Sequence, residues 1–104
     1  MAEVLELNGL RVDVPRRRVT ANGLEVTLKP KEFDLLAFLV EHPGQVFARE
    51  AILARVWGFD YAGDSRTVDT HVKTLREKLG DRADQPRWLE TVRGVGYRFR
   101  EDAV

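Results

Sequence analysis

The sequence predicts an α+β fold with a four-stranded antiparallel sheet first, three helices next and a β-hairpin last. Three observations predict this order. Asn-Gly dipeptides separate short β-prone segments early in the chain, apolar residues recur at helical spacing in the middle, and glycines interrupt two β-prone segments near the end. With 104 residues, 43% of them apolar, the chain is expected to form a single domain over residues 1–104 around one modest core.

The N-terminal strands are expected at Val4–Leu7, 10–14, Arg18–Ala21 and 25–28. The dipeptides Asn8-Gly9 and Asn22-Gly23 favour the tight turns that join neighbouring strands of a hairpin. A sheet of this kind has one face to bury, so it requires a cover from elsewhere in the chain.

The first two helices have clear limits. The first begins at Pro30, because proline is favoured at the first helical position, and it ends before Pro43. The second fits residues 49–57 and ends at Gly58. Lys29 and Ala48 precede these helices and provide no side-chain cap, which typically contributes about 1 kcal/mol.

The third helix, Arg66–Leu79, has the most regular apolar pattern in the chain. Asp64 or Ser65 can cap its start, and Gly80 favours its end. Its apolar residues fall within about 60° of one another at 100° per residue. They are Val68, Val72, Leu75 and Leu79. The opposite side carries Arg66, Thr70, Lys73, Thr74 and Glu77.

Residues 88–92 and 97–100 predict two strands joined by the short tip segment 93–96 (RGVG). Two helices linked by a loop and followed by a hairpin form a winged helix-turn-helix, in which the hairpin is the wing. A helix of this kind fits the DNA major groove. Arg66 and Lys73 can then reach phosphates, while Thr70 and Thr74 can reach base edges. Arg93 can enter a minor groove.

The net charge is zero, but the charges are unevenly distributed. Residues 1–65 carry 8 basic and 10 acidic side chains, whereas residues 66–100 carry 9 basic and 5 acidic ones. Phosphate binding depends on the local field of one face rather than on the sum over the chain. The basic surplus lies where the third helix and the wing are predicted, which permits an anionic partner.

Several classes of function have no support in the residues. The chain has no cysteine, only two separated histidines and no nucleophile motif, so an enzyme, a metal site and a bound cofactor are not expected. No stretch is apolar and long enough to cross a membrane, and no signal-peptide pattern opens the chain. We expect a cytoplasmic protein with no membrane partner.

Two strings of the sequence resemble a known family. The segment Arg66–Leu79 (RTVDTHVKTLREKL), followed by residues 90–99 (ETVRGVGYRF), resembles the C-terminal effector domain of OmpR/PhoB-type response regulators. Residues 28–36 (LKPKEFDLL) resemble the entry to the first helix of that family. The similarity covers essentially the whole chain. It implies sequence-specific binding of double-stranded DNA by a transcriptional regulator of a two-component system.

The resemblance also implies roles for particular residues. Phosphate contacts are implied for Arg66, Thr67, His71, Lys73, Arg76 and Tyr97. Major-groove contacts are implied for Thr70 and Thr74, and a minor-groove contact for Arg93. The loop 58–65 matches a segment that faces RNA polymerase in such regulators. Its residues there are Gly58, Phe59, Asp60, Tyr61, Ala62, Gly63 and Asp64.

The family binds direct repeats as head-to-tail homodimers, under control of a phosphorylated receiver domain. This sequence has no receiver, so we expect it to be the effector part of a longer regulator. Other members of the family also carry longer basic residues at the position of Thr74. The operator sequence of a relative therefore does not predict the operator of this chain.

Some features keep two interpretations. His71 contacts a phosphate or packs half-buried, and the arginines at 16–18 are a nucleic-acid patch or, as the residues favour, a solvated turn. The basic residues of the third helix are a binding face or a solvated face paired with neighbours such as Asp69. The second hypothesis for the function is a winged-helix module for protein interaction. It would dock a partner through loop 58–65 or the strands, and the zero net charge favours it.

Overall fold

The computed structural model describes residues 3–101. Its first sheet is antiparallel in the order β1 (Val4–Leu7), β2 (Leu10–Asp13), β3 (Arg18–Ala21) and β4 (Leu24–Val26), as the sequence predicts. The fourth strand starts and ends earlier than the predicted 25–28. The cause is the two-residue turn at Asn22-Gly23, which pairs Ala21 directly with Leu24.

Three helices follow, as predicted. They are α1 (Pro30–Val40), α2 (Arg49–Ile52) and α3 (Arg66–Leu79). The second helix continues as a π-helical turn over Leu53–Trp57, which the sequence does not predict. The carbonyl of Val56 in this turn accepts a hydrogen bond from Lys31 Nζ of α1 at 3.1 Å. Within residues 3–101, no helix is long and apolar enough to cross a bilayer.

The predicted C-terminal hairpin forms, with limits that differ by one residue from the predicted 88–92 and 97–100, and it belongs to a sheet with a third strand that was not predicted. Strands β6 (Leu89–Val92) and β7 (Gly96–Phe99) pair with each other, and β5 (Phe47–Ala48) pairs with the other edge of β7. A Cβ atom at Gly96 would lie only 1.9 Å from the carbonyl oxygen of Phe47. The close approach of β5 therefore requires glycine at this position.

The core lies between the first sheet, α1, α3 and the β6–β7 hairpin. It contains one face of the sheet, most of α1 and the whole predicted apolar side of α3. Trp88 is 1% exposed, and its indole N–H donates to the carbonyl of Asn8 at 3.1 Å, which ties the wing region to the first sheet. The fully buried residues include Val12, Leu35, Leu36, Leu39, Val68, Leu75 and Leu89.

Half of a capping box forms at the start of α1. Lys29 cannot accept a hydrogen bond through its side chain, but Glu32 Oε1 accepts one from the Lys29 backbone N–H at 2.8 Å. Ala48 provides no side-chain cap for α2, as the sequence indicates.

The connection between α3 and β6 is held by one carboxylate. Asp81 accepts hydrogen bonds from four backbone N–H groups, at 2.7 to 3.1 Å. They belong to Arg82, Arg87, Trp88 and Leu89. This carboxylate therefore fixes where the first strand of the wing begins relative to α3.

Candidate nucleic-acid interface

One side of α3 is buried and the opposite side is open to solvent. Val68, Val72 and Leu75 are at most 1% exposed. Arg66, Thr70 and Lys73 lie on the exposed side, with Thr74 half-buried beside them. The 3.6-residue period of an amphipathic helix accounts for this division. The side chains that the sequence predicts for the major groove therefore face outwards.

The two threonines on this side use their hydroxyl protons within the helix. Thr70 Oγ1 donates to the carbonyl of Arg66 at 3.2 Å, and Thr74 Oγ1 donates to the carbonyl of Thr70 at 3.1 Å. A threonine bonded in this way offers a neighbouring molecule its oxygen lone pairs and its methyl group. These groups suit a thymine methyl or a base amino group.

Asp64 caps the start of α3, and Ser65 does not. Asp64 Oδ1 accepts the backbone N–H of Arg66 at 2.9 Å, and Oδ2 accepts the Arg66 guanidinium at 2.8 Å. The side-chain hydrogen bond from Arg66 lowers the pKa of Asp64. Both side chains are largely exposed, and such an ion pair is weak in water. Arg66 can therefore exchange the carboxylate for a phosphate at low cost.

The side chains of two exposed cations, Lys73 on α3 and Arg93 on the wing, form no hydrogen bond or ion pair with any other residue in the 3–101 range. Arg93 follows β6 and precedes Gly94, which has a φ of +74°. Val95 beside it is 54% exposed. Among residues 3–101, the wing tip is thus an open, cationic turn.

His71 packs against the protein on one side of α3. Its ring meets Trp57 edge-on at 4.8 Å between centroids, and its Nδ1 lies 2.8 Å from the carbonyl of Thr67. Since a carbonyl only accepts, Nδ1 carries the hydrogen, and Nε2 of the neutral ring is then an acceptor. His71 can donate to a phosphate only in its doubly protonated form.

Arg76 and Tyr97, for which phosphate contacts are predicted, are nearly buried and form hydrogen bonds within the protein. Arg76 is 9% exposed, and its guanidinium donates to the carbonyl of Leu89 at 2.9 Å and to Thr91 Oγ1 at 2.8 Å. Tyr97 is 8% exposed, and its hydroxyl donates to Asp69 Oδ1 at 2.6 Å. Both polar groups join α3 to the wing, because Arg76 lies at the edge of the buried side of α3 and Tyr97 reaches Asp69 from β7.

Burial, followed by the hydrogen bond to Asp69 and its charge, raises the pKa of Tyr97 to about 12. The phenol is therefore neutral at physiological pH and remains a hydrogen-bond donor to Asp69.

Asp69 and Arg49 are residues that the sequence analysis missed at this junction. Asp69 Oδ2 accepts from Arg49 NH1 at 3.1 Å, so its carboxylate joins the start of α2, the middle of α3 and β7. Neither partner of Asp69 lies on α3, so the alternative in which Asp69 pairs with basic residues of its own helix does not hold. An acidic residue within a basic helix, placed seven positions before Arg76, was the available signal.

The loop 58–65 projects two aromatic side chains. Phe59 is 87% exposed and Tyr61 is 43% exposed. The loop starts at Gly58, whose φ of +110° suits glycine. Tyr61 stays near the π-helical turn that follows α2, with its ring centroid 6.4 Å from that of Trp57. The remaining members, Asp60, Ala62, Gly63 and Asp64, are exposed as well.

The arginines at 16–18 are largely engaged within the protein. Arg16 pairs with Asp13 at 3.4 Å, and Arg17 pairs with Asp34 at 2.9 Å. The Arg17 guanidinium also lies 4.5 Å from the centre of the Phe33 ring. These contacts agree with the interpretation of this segment as a turn on the protein surface.

Comparisons with known proteins add to this geometry. Residues 23–99 match the family model described as the C-terminal part of transcriptional regulatory proteins. The chain is 50% identical over 96 residues to the sensory transduction protein RegX3 of Mycobacterium leprae, covering 92% of this chain and 48% of that protein. It is 48% identical over 101 residues to the transcriptional regulatory protein ResD of Bacillus subtilis, covering 96% and 42%. The chain thus spans less than half the length of these relatives.

Solved structures show the same fold. The DNA-binding domain of Klebsiella pneumoniae RstA, in complex with the RstA box, superposes with a TM-score of 0.85 at 37% identity, covering 93% of this chain and 96% of that one. DrrB of Thermotoga maritima, an OmpR/PhoB homologue, also has a TM-score of 0.85 at 34% identity, covering 93% and 44%. The predicted winged-helix fold is therefore confirmed.

Proposed function

Because this chain belongs to the OmpR/PhoB-type family of transcriptional-regulator C-terminal domains, which are sequence-specific DNA-binding effector domains of two-component systems, we propose that α3 binds in the major groove and the wing at the adjacent minor groove. One observation supports this mode above all. The exposed polar side of α3 adjoins a wing whose tip arginine is free of partners among residues 3–101.

The phosphate contacts are proposed for residues around the base of α3. Arg66 and Thr67 begin the helix, where the helix dipole favours an anion, and Lys73 is exposed one and a half to two turns further on. Arg49 at the start of α2 joins them, since its side chain is 50% exposed. His71 contributes through Nε2 when its ring is doubly protonated. These contacts set affinity and orientation but carry no sequence information.

The base contacts are proposed for three residues. Thr70 and Thr74 meet base edges in the major groove through their methyl groups and oxygen lone pairs. Arg93 enters the minor groove, where a narrow A·T-rich stretch concentrates negative potential.

The test begins with in-vitro selection of bound duplexes from a random pool, followed by fluorescence anisotropy over a salt series. Each phosphate neutralised contributes about −0.9 to the log–log slope of affinity against salt, so binding must weaken steeply. Binding that is absent or independent of salt contradicts the proposal.

Arg93→Ala tests the wing separately. It should weaken binding to duplexes with A·T or inosine·C pairs under the wing, because both pairs lack the amino group that G·C places in the minor groove. With G·C pairs there, the wild type should already bind weakly and the substitution should matter little. An equal loss on all three duplexes excludes minor-groove readout.

For the assembly on DNA, we propose a head-to-tail homodimer on direct repeats, the arrangement that the family resemblance implies. In the longer regulator, phosphorylation of a receiver domain would promote it. Analytical ultracentrifugation on duplexes with one and two selected half-sites should give one and two bound copies, with the second copy lost when the half-site is inverted.

We also propose loop 58–65 as a surface for RNA polymerase. The exposed rings of Phe59 and Tyr61, two positions apart in one loop, support a protein contact, because neighbouring exposed apolar side chains form a patch that a partner can cover. Phe59→Ala should abolish crosslinking to purified polymerase and activated transcription while DNA affinity stays unchanged. Loss of DNA binding instead would contradict this assignment. The protein so described is a cytoplasmic, non-catalytic regulator.

A further inference from the structure

One flank of α3 carries the polar contacts to the wing. At 100° per residue, Asp69 and Arg76 lie about 20° apart, between the buried stripe and the exposed side. Asp69 accepts the hydroxyl of Tyr97 on β7 at 2.6 Å. Arg76 donates to the carbonyl of Leu89 on β6 at 2.9 Å. Each strand of the wing is thus held by one residue of the same flank.

The donors of these bonds are protected from solvent. Tyr97 and Arg76 are 8% and 9% exposed, so water cannot readily replace the partners that they would lose. A hydrogen bond to an ionised acceptor such as Asp69 is stronger than one between neutral groups. Arg49 donates to the second oxygen of Asp69 at 3.1 Å and restricts the carboxylate further.

The position of Arg93 follows from the position of these strands. Val92 of β6 pairs with Gly96 of β7, so only three residues lie between the strands at the tip. A turn this short has little freedom of its own. Anything that moves Tyr97 relative to α3 therefore moves Arg93 relative to α3.

From this geometry we propose that Asp69 is a positioning residue, which fixes the wing to α3 through Tyr97 so that α3 and Arg93 meet adjacent grooves in a preset geometry. The inference rests on the proposed function, since it requires that both elements bind one duplex. This positioning role requires no contact of Asp69 itself with DNA. A wing released from Asp69 must be ordered on binding, and that ordering lowers affinity.

A double-mutant cycle between Tyr97→Phe and Arg93→Ala tests the proposal. Tyr97→Phe removes only the hydroxyl that Asp69 accepts. It should weaken binding to a selected duplex with A·T pairs under the wing by about five-fold when Arg93 is present, and by less than about two-fold in the Arg93→Ala background. An equal loss in both backgrounds overturns the inference.

Two controls separate positioning from general damage. Tyr61→Phe removes the hydroxyl of the other tyrosine in the chain and should leave affinity unchanged. Tyr97→Phe combined with Lys73→Ala should give additive losses, because Lys73 lies on α3 itself. If the coupling of Tyr97→Phe to Lys73→Ala is as large as its coupling to Arg93→Ala, the inference is also overturned.

Amide NMR spectra confirm that each variant is folded at the working temperature. If the Tyr97→Phe variant is not folded, Asp69→Asn takes its place in the same cycle, with the same expected coupling to Arg93. If Arg93→Ala alone has no effect, the proposed role of the wing fails and the inference fails with it. If Arg93→Ala weakens binding but the cycle shows no coupling, only the inference fails.

Discussion

Glu32 and Lys78, 46 positions apart in the chain, meet at 2.7 Å and join the start of α1 to the end of α3. Glu32 is 3% exposed. Burial alone would raise its pKa, but the hydrogen bonds from Lys78 and from the Lys29 N–H, together with their charges, lower it below the ordinary value of 4.5. The carboxylate is therefore held ionised inside the fold.

The first prediction concerns acid stability. A carboxyl whose pKa is lowered by folding stabilises the protein above its unfolded pKa, and this contribution is lost as the pH falls through the folded pKa. Glu32→Gln should lower the free energy of unfolding by about 1–2 kcal/mol at pH 7, with the difference shrinking below the ordinary pKa of 4.5. Urea unfolding across this range measures it, with Glu77→Gln as an exposed control. A difference that is the same at all pH values would contradict the account.

The second prediction concerns alkaline titration. The pKa of Tyr97 is raised to about 12 by burial and by Asp69, so the ultraviolet difference titration of wild type minus Tyr97→Phe should have its midpoint there. A raised pKa gives a stabilisation that is complete below the unfolded pKa of 10.0 and lost as the pH rises towards 12. Asp69→Asn should move the midpoint down towards 10.0. A wild-type midpoint already at 10.0 would show that the phenol is not held by Asp69.

The third prediction concerns Asp64, which binds Arg66 where a phosphate is proposed. Asp64→Asn should strengthen DNA binding and steepen the log–log salt slope by up to about 0.9, because one more positive charge faces the duplex. Asp84→Asn is the matched control. Its partner Arg82 has the same 2.8 Å contact, and the change in net charge is equal, but the pair lies beyond the other end of α3. Equal effects of the two substitutions would mean that only net charge matters.

The fourth prediction concerns Asp81. Its two oxygens accept four backbone N–H groups, and an amide in its place turns a donor towards two of them. Asp81→Asn should lower the free energy of unfolding by about 2–3 kcal/mol. Asp84→Asn, which breaks an exposed ion pair, should change it by less than about 1 kcal/mol. Urea unfolding that does not distinguish the two variants would contradict this role of Asp81.

The sequence predicts those parts of the fold in which local pattern and tertiary structure agree. The stripe of α3 has the period of a helix, and Asn-Gly turns set the pairing of the first strands, so both were found. A two-residue strand such as β5 has no period. It exists because Gly96 lets Phe47 approach, a contact between segments far apart in the chain.

The candidate site, like the fold, could be predicted where local pattern and tertiary structure agree. Helical spacing indicates that Thr70 and Lys73 face solvent, and the structure has them there. Arg76 lies near the edge of the stripe, where spacing does not decide its direction. Acceptors on β6, 13 and 15 positions away, turn it inwards. The partners of Asp69 on α2 and β7 could not be read from α3 alone.

The most direct test of the binding mode is an NMR titration of the isotope-labelled domain with a selected duplex. We expect the largest amide shift changes at Thr70, Lys73 and Arg93, and none on the open face of the first sheet around Thr20. Changes centred on that sheet, with α3 and the wing tip unaffected, would contradict the account.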